Sequence, residues 1–229
     1  VILGQRIINA ILRPLVALLL PHDVQGQENL PAEGPVIVML NHVNFLDVIM
    51  PAMFLPRDVV MVAKTEIYRA PGFGLLVRAY GAVPLRRGEA DLQAMRLSLE
   101  ALRKGQVLGI APEGTRSGHG RLQQGHDGLA FVAVQAGVPV VPFAIYGHNR
   151  FWEDLKRLRR TRLHIRVGEP FRFVARKRPQ RDGLRAMTDE AMYRLAALLP
   201  PEFRGVYGDP SRATRCYTEP HTPPMASCR

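Results

Sequence analysis

A chain of 229 residues, 47% of them apolar, can bury the core of one ordinary domain and is too apolar for wholesale disorder. Its formal charge of +11 is almost all arginine, the only lysines being Lys64, Lys104, Lys156 and Lys177. Both cysteines, Cys216 and Cys228, lie in the final stretch, which excludes a disulfide scaffold and leaves no thiol nucleophile in the body of the chain.

Taken in chain order, Val1–Leu20 is apolar but broken by Gln5, Arg6, Asn9, Arg13 and Pro14, so it falls short of the ~18 uninterrupted apolar residues of a spanning helix. Arg13 and the lack of a small-residue site after Leu20 argue against a signal peptide. The stretch reads as a membrane-associating helix over residues 1–24, with packing on its own domain as the alternative. The chain begins at Val1 rather than Met, so an upstream spanning helix stays open.

From residue 25 to 200, short apolar runs alternate with amphipathic stretches. Strands are expected at Pro35–Leu40, Val59–Ala63, Ala82–Leu85, Val107–Ala111, Pro139–Tyr146 and Leu163–Val167. Helices are expected at Asp47–Leu55, Gly72–Tyr80, Glu89–Lys104, Gly128–Gln135, Phe151–Arg159 and Leu184–Leu199. In the third of these, Leu92, Met95, Leu99 and Leu102 recur at helical spacing and predict the buried face. This alternation predicts one α/β domain with a mostly parallel mixed sheet flanked by helices. Residues 201–229, rich in Pro, Thr, Ser and Arg, read as a loose tail.

Arg150–Arg185 holds thirteen basic residues against four acids. Such a window attracts anionic lipid or an acidic carrier protein, unless it is simply a solvated face. Nucleic acid is not expected, since the window has few aromatics and no binding motif.

Much chemistry is excluded. None of the four serines, Ser98, Ser117, Ser211 and Ser227, sits in a Gly-x-Ser-x-Gly elbow. There is no phosphate-binding loop, no dinucleotide fingerprint and no His-Glu-x-x-His pattern, so neither a nucleotide nor a metal is implied.

Three motifs follow predicted strands. Asn41-His42-Val43-Asn44-Phe45-Leu46-Asp47 places a carboxylate within reach of an imidazole, which then holds one tautomer and can take a proton from an alcohol. Arg86 and Arg87, in Gly81–Gly88, offer planar charged donors suited to phosphate. Pro112-Glu113-Gly114-Thr115-Arg116-Ser117 sets an acid, a base and two hydroxyls on a turn that can hold a polar headgroup.

With Val138-Pro139-Val140-Val141-Pro142-Phe143 as a fourth block, and Gly125 a few residues past the third, the order resembles the glycerolipid acyltransferases, notably the 1-acylglycerol-3-phosphate acyltransferases. Asn44, Ala111 and Pro84 depart from the family's common residues, which bears on the acceptor more than on the reaction. The resemblance implies an acyltransferase of phospholipid biosynthesis with His42 as general base and Asp47 as its orienter. Arg87 and Arg116 would hold the acceptor phosphate, Arg86 would assist, and Glu113, Gly114 and Thr115 would shape the headgroup site, Glu113 by accepting from substrate hydroxyls. Val138–Phe143 would line an acyl groove or form a core strand. No resident cofactor is implied. The donor would be acyl-CoA or acyl carrier protein, the acceptor a lysophospholipid, and the location the cytoplasmic face of a membrane bearing anionic lipids. Transfer to another lysolipid, such as a lyso-ornithine lipid, a non-catalytic membrane-binding module and a metal-dependent hydrolase stay open as alternatives.

Overall fold

Val36-Ile37-Val38-Met39-Leu40 is apolar at every position, and a strand of that kind is stable only when both of its faces are covered. In a computed structural model describing residues 2–69, 73–85, 92–174 and 181–221, all five side chains are buried. Val36, Val38 and Leu40 join one core with Val16, Leu20, Met50 and Met53. Ile37 and Met39 join a second with Leu102, Leu129, Val132, Met192 and Leu195. The alternation of a strand thus sends one apolar run into two cores, with helices on both sides of the sheet.

In chain order the elements are α1 (Ile2–Leu19), β1 (His22–Gln25), β2 (Val36–Leu40), α2 (Met50–Phe54), β3 (Val59–Lys64), α3 (Phe73–Ala79), β4 (Val83–Leu85), α4 (Leu92–Arg103), β5 (Val107–Ile110), α5 (Gly128–Ala136), β6 (Val140–Tyr146), α6 (Phe151–Lys156), β7 (Leu163–Val167), β8 (Phe171–Phe173), α7 (Arg181–Ala197) and β9 (Thr218–Pro220). The sheet order is β1-β7-β6-β2-β5-β3-β4, with β8 pairing β6 and β9. The neighbouring pairs from β6 through β4 are all parallel, whereas β7 and β8 run antiparallel to β6. The expected mostly parallel mixed sheet with flanking helices is therefore present.

One arrangement places the site. Neighbouring β2 and β5 send their chains in opposite directions, β2 through α2 to β3 and β5 through α5 to β6. Met50 and Met53 of α2 belong to one core, while Leu129 and Val132 of α5 belong to the other. Where neighbouring crossovers part to opposite faces, a crevice opens beyond the carboxyl ends of the strands. The Asn41–Asp47 and Pro112–Ser117 loops leave the carboxyl ends of β2 and β5.

Four expectations change. In α4 the buried residues are Ala94, Ser98, Ala101 and Leu102, while Leu92 is 75% exposed. The leucine-bearing stripe is thus turned partly outward, its Leu102 end buried and its Leu92 end open. Residues 89–91 of that expected helix lie outside the described residues. The expected helix Asp47–Leu55 is instead a 3-10 turn, Phe45–Val48, followed by the short α2.

Residues 1–24 are not a separable segment, since β1 pairs with β7 at the sheet edge. The loose tail is folded through His221: three 3-10 turns lead to β9, which pairs with β8. The anchor there is Glu190, 2% exposed. It accepts hydrogen bonds from the hydroxyls of Thr214 (2.7 Å) and Thr218 (2.6 Å) and from the N–H of Cys216 (2.9 Å). Burial pushes its carboxyl upward, yet these donors outweigh it and hold the group below the ordinary range.

The helix α1 is apolar on both sides: Val16, Ile8, Leu12 and Leu19 pack on the core together with two buried amides. Gln5 and Asn9 are buried and donate to the Val59 carbonyl (3.1 Å) and the Ala52 carbonyl (2.8 Å). Ile7, Ile11, Leu15 and Leu18 form an exposed apolar stripe on the other side. Among the described residues no helix is long and apolar enough to cross a membrane.

Candidate active site

Beyond Leu40 the β2 chain keeps its pairing with β6 through a side chain. Asn41 donates its amide to the Ile145 carbonyl (2.7 Å) and accepts the Ile145 N–H on its carbonyl oxygen (2.8 Å). His42 is next and is clamped at both backbone groups by the third motif. Its N–H donates to Glu113 Oε1 (2.8 Å), and its carbonyl accepts the Ser117 N–H (2.8 Å). Asn44 then caps the 3-10 turn through the Leu46 N–H (2.8 Å).

That turn carries Asp47 back to the imidazole. Asp47 Oδ2 lies 3.0 Å from His42 Nδ1 and accepts the N–H groups of Val43 (2.5 Å) and Asn44 (2.7 Å). Asp47 is 0% exposed, whereas the His42 side chain is 16% exposed. Burial alone would raise the Asp47 carboxyl, but the hydrogen bonds from His148 and His42 hold it below the ordinary carboxylate range. A carboxylate at Nδ1 fixes that nitrogen as the N–H, leaving Nε2 with a lone pair able to take a proton.

The other acceptor of Asp47 is engaged by a residue the sequence motifs did not single out. His148, in the loop after β6, brings Nε2 to 2.5 Å from Asp47 Oδ1. The hundred residues between them hide the pairing from any local pattern. The only sequence signal is the position of His148 at the exit of a strand neighbouring β2.

Glu113 differs from its expected role. It is 2% exposed, and its second oxygen accepts the Gln123 N–H (2.8 Å), so both oxygens brace backbone instead of facing a substrate hydroxyl. Gly114 is required by the turn, with φ +65 and a position where a Cβ would meet His126 Cδ2 at 2.9 Å. Thr115 and Arg116 are exposed on the same turn, within the loop that grips His42. Gly125 packs under α7, where a Cβ would come within 2.9 Å of Thr188. Val138, Val140, Val141 and Phe143 are buried, so this block is a core strand and not a groove wall. Arg86, Arg87 and Cys228 lie outside the described residues. Among the described residues no group of three or more His, Cys, Asp or Glu is arranged to hold a metal.

Burial pushes the Glu113 carboxyl from 4.5 up to about 7, against the two backbone N–H donors that favour its anion. The folded protein then holds a proton that the unfolded chain releases. This contribution is fully present below about 4.5 and is lost as pH rises toward about 7. Glu113→Gln cannot ionise and should remove that slope from urea midpoints measured across the same window. A slope unchanged in the variant would assign it to another group. Asp47, lowered from 3.8, acts with the opposite sign, its contribution being lost as pH falls below that value.

Together, fold and site define an α/β domain with a carboxylate-oriented imidazole beyond the carboxyl ends of its central parallel strands. Residues 22–146 match the family model described as Acyltransferase, and the chain belongs to that family. It is 36% identical over 131 residues to a chloroplastic 1-acyl-sn-glycerol-3-phosphate acyltransferase of Brassica napus, the match covering 56% of this chain and 38% of that one. Against the Bacillus subtilis 1-acyl-sn-glycerol-3-phosphate acyltransferase it is 26% identical, covering 76% and 86%. The crystal structure of the 1-acyl-sn-glycerophosphate (LPA) acyltransferase PlsC from Thermotoga maritima superposes with a TM-score of 0.65 at 25% identity, covering 85% and 78%. The chain thus spans under two fifths of the chloroplast relatives' length.

Proposed function

We propose that the protein transfers a fatty acyl group from a thioester, acyl-CoA or acyl carrier protein, to the free hydroxyl of 1-acylglycerol-3-phosphate, giving phosphatidic acid. The observation that carries this reading is the His42 Nδ1–Asp47 Oδ2 contact of 3.0 Å on a partly open imidazole. His42 Nε2 takes the hydroxyl proton as the oxygen attacks the thioester carbonyl. Asp47 stabilises the imidazolium that forms. Collapse of the tetrahedral species breaks the C–S bond, and His42 returns the proton to the departing thiolate. Arg116, with Arg86 and Arg87, would hold the acceptor phosphate. Thr115 borders the same loop, and Glu113 and Gly114 contribute by holding its shape.

The test is a substrate panel: purified protein with acyl-CoA and acyl-carrier donors against lysophosphatidic acid, other lysophospholipids and a lyso-ornithine lipid. Turnover preferring lysophosphatidic acid supports the proposal. Preference for another lysolipid would move the acceptor, and no turnover with any would favour a binding module.

The same reading places the protein on an anionic membrane, the cytoplasmic face being the site of the thioester donors. The apolar stripe of α1 is one support. The other is the end of α6 and the loop after it, where exposed Lys156, Arg157, Arg159, Arg160 and Arg162 surround Leu158, which is 94% exposed. The Thr161 N–H donates to the Leu19 carbonyl (3.2 Å), so this cationic loop abuts the end of α1. Apolar groups beside cations suit the headgroup boundary. Reversing Arg157, Arg159 and Arg160 to Glu should weaken binding to anionic vesicles by at least about a hundredfold, at about 1 kcal/mol per cation lost, before the repulsion of the added carboxylates. Salt dependence should flatten as well. Unchanged sedimentation with vesicles would discard this orientation.

A further inference from the structure

We propose that His148 is a positioning residue for the reaction, holding Asp47 in the orientation that serves His42. The inference rests on the reading of His42 as the base.

Asp47 accepts three donors on Oδ2, from His42 and the Val43 and Asn44 N–H groups, and one on Oδ1, from His148. At 0% exposure no solvent reaches the carboxylate. Without His148, Oδ1 would be a buried anionic oxygen with no partner, a strongly unfavourable state that rotation or protonation of the carboxyl would relieve. Either change would disturb the contact with His42. The second imidazole therefore completes the coordination of the carboxylate and fixes which oxygen faces the base.

The chain is shaped to deliver this ring. Gly147 adopts φ +92, and a Cβ there would lie 2.5 Å from the Arg162 carbonyl, so the turn that swings His148 inward needs glycine. The His148 carbonyl accepts the Asn44 side-chain amide (3.2 Å) and the Phe151 N–H (3.1 Å), tying the loop after β6 to the loop that carries Asp47. His148 Nδ1 is buried with no hydrogen-bond partner. A proton there would be an unpaired buried donor, so the geometry favours the neutral ring with its proton on Nε2. His148 is thus a donor to Asp47, not a second counter-ion.

The direction of the functional effect follows. A donor on Oδ1 withdraws charge from the carboxylate. Removing it raises the proton affinity of the His42–Asp47 pair and shifts the acid limb of the rate profile to higher pH. Among the described residues, the ionisable groups hydrogen-bonded to the pair are His148 itself and Glu113 from the turn after β5, which also carries Arg116. Beyond the His148 loop, Arg150 is paired with Glu153 at 3.1 Å. All but His148 are unchanged across the variants below, so differences between them belong to position 148.

The test compares His148→Leu, which keeps bulk and loses the donor, with His148→Gln, whose amide N–H can occupy the place of Nε2. Leu should lower kcat roughly ten- to a hundredfold with little change in KM, the scale on which loss of an outer hydrogen-bond partner acts at metal-binding histidines. It should also move the acid limb upward. Gln should recover kcat to within about threefold and restore the limb. NMR titration of the His42 ring should show the same upward displacement in Leu and not in Gln, and it needs no turnover. Equal behaviour of Leu and Gln, or a loss carried by KM, would overturn the proposal. If the parent enzyme acylates none of the lysolipids, the acyltransfer reading fails while the NMR comparison still decides the role of His148. Should the Leu variant not fold, His148→Asn serves instead. Its shorter amide stays polar but falls short of Oδ1, so it should behave as Leu is expected to, and parent-like behaviour would count against the proposal.

Discussion

His42→Ala is expected to reduce acyl transfer by about 10²–10⁴-fold, the usual contribution of a positioned base to attack by an alcohol. The fold should survive. Both anchors of residue 42 to the Pro112–Ser117 turn are backbone groups, the N–H to Glu113 and the carbonyl from Ser117, and alanine keeps both. The loss should therefore fall on kcat, with an unchanged far-UV spectrum and little change in the urea midpoint. Full activity in this variant would place the base elsewhere.

Asp47→Ala is expected to damage both stability and rate. The carboxylate is 0% exposed and receives four donors, two from backbone and two from imidazole rings. Removing the acceptor leaves these groups buried and unpaired, at about 3–5 kcal/mol, the range for breaking a buried charged contact. Asp47→Asn keeps the shape but turns an amide N–H toward some of those donors. Its rate loss should approach the about 10⁴-fold that the same exchange costs in a serine-protease triad. Urea midpoints and kcat measured on both variants give the check. A stable and active Asp47→Ala protein would remove the orienter from the mechanism. The two positions thus predict different signatures, rate alone at 42 and rate with stability at 47, because one side chain is partly open and the other fully buried.

Much of this was visible in the linear chain. Val36–Leu40 is apolar at every position, and only burial on both faces permits such a strand. Asn41–Asp47 holds its reactive pair within five residues, so a single turn brings the partners together. What failed in the sequence reading failed for identifiable reasons. Leu92 fits a helical apolar stripe, but α4 is buried through Ala94, Ser98 and Ala101 beside the expected Leu102, and which side chains of a helix meet the core depends on how it is set against its neighbours. Pro201 onward has the composition of a loop, and order there comes from contacts with Glu190, a residue in another element.

At the site, the chain alone determined the class of chemistry: an imidazole, a carboxylate and arginines at strand exits, with no Gly-x-Ser-x-Gly elbow and no cysteine before the final stretch. Tertiary structure decided which acid does what. Glu113 and Asp47 are both motif carboxylates, and only folding shows one bracing backbone and the other facing the ring. It also supplied His148, which β6 brings beside β2 from far along the chain. Short-range partners are encoded by spacing, whereas partners that meet through neighbouring parallel strands are encoded only in the order of the sheet.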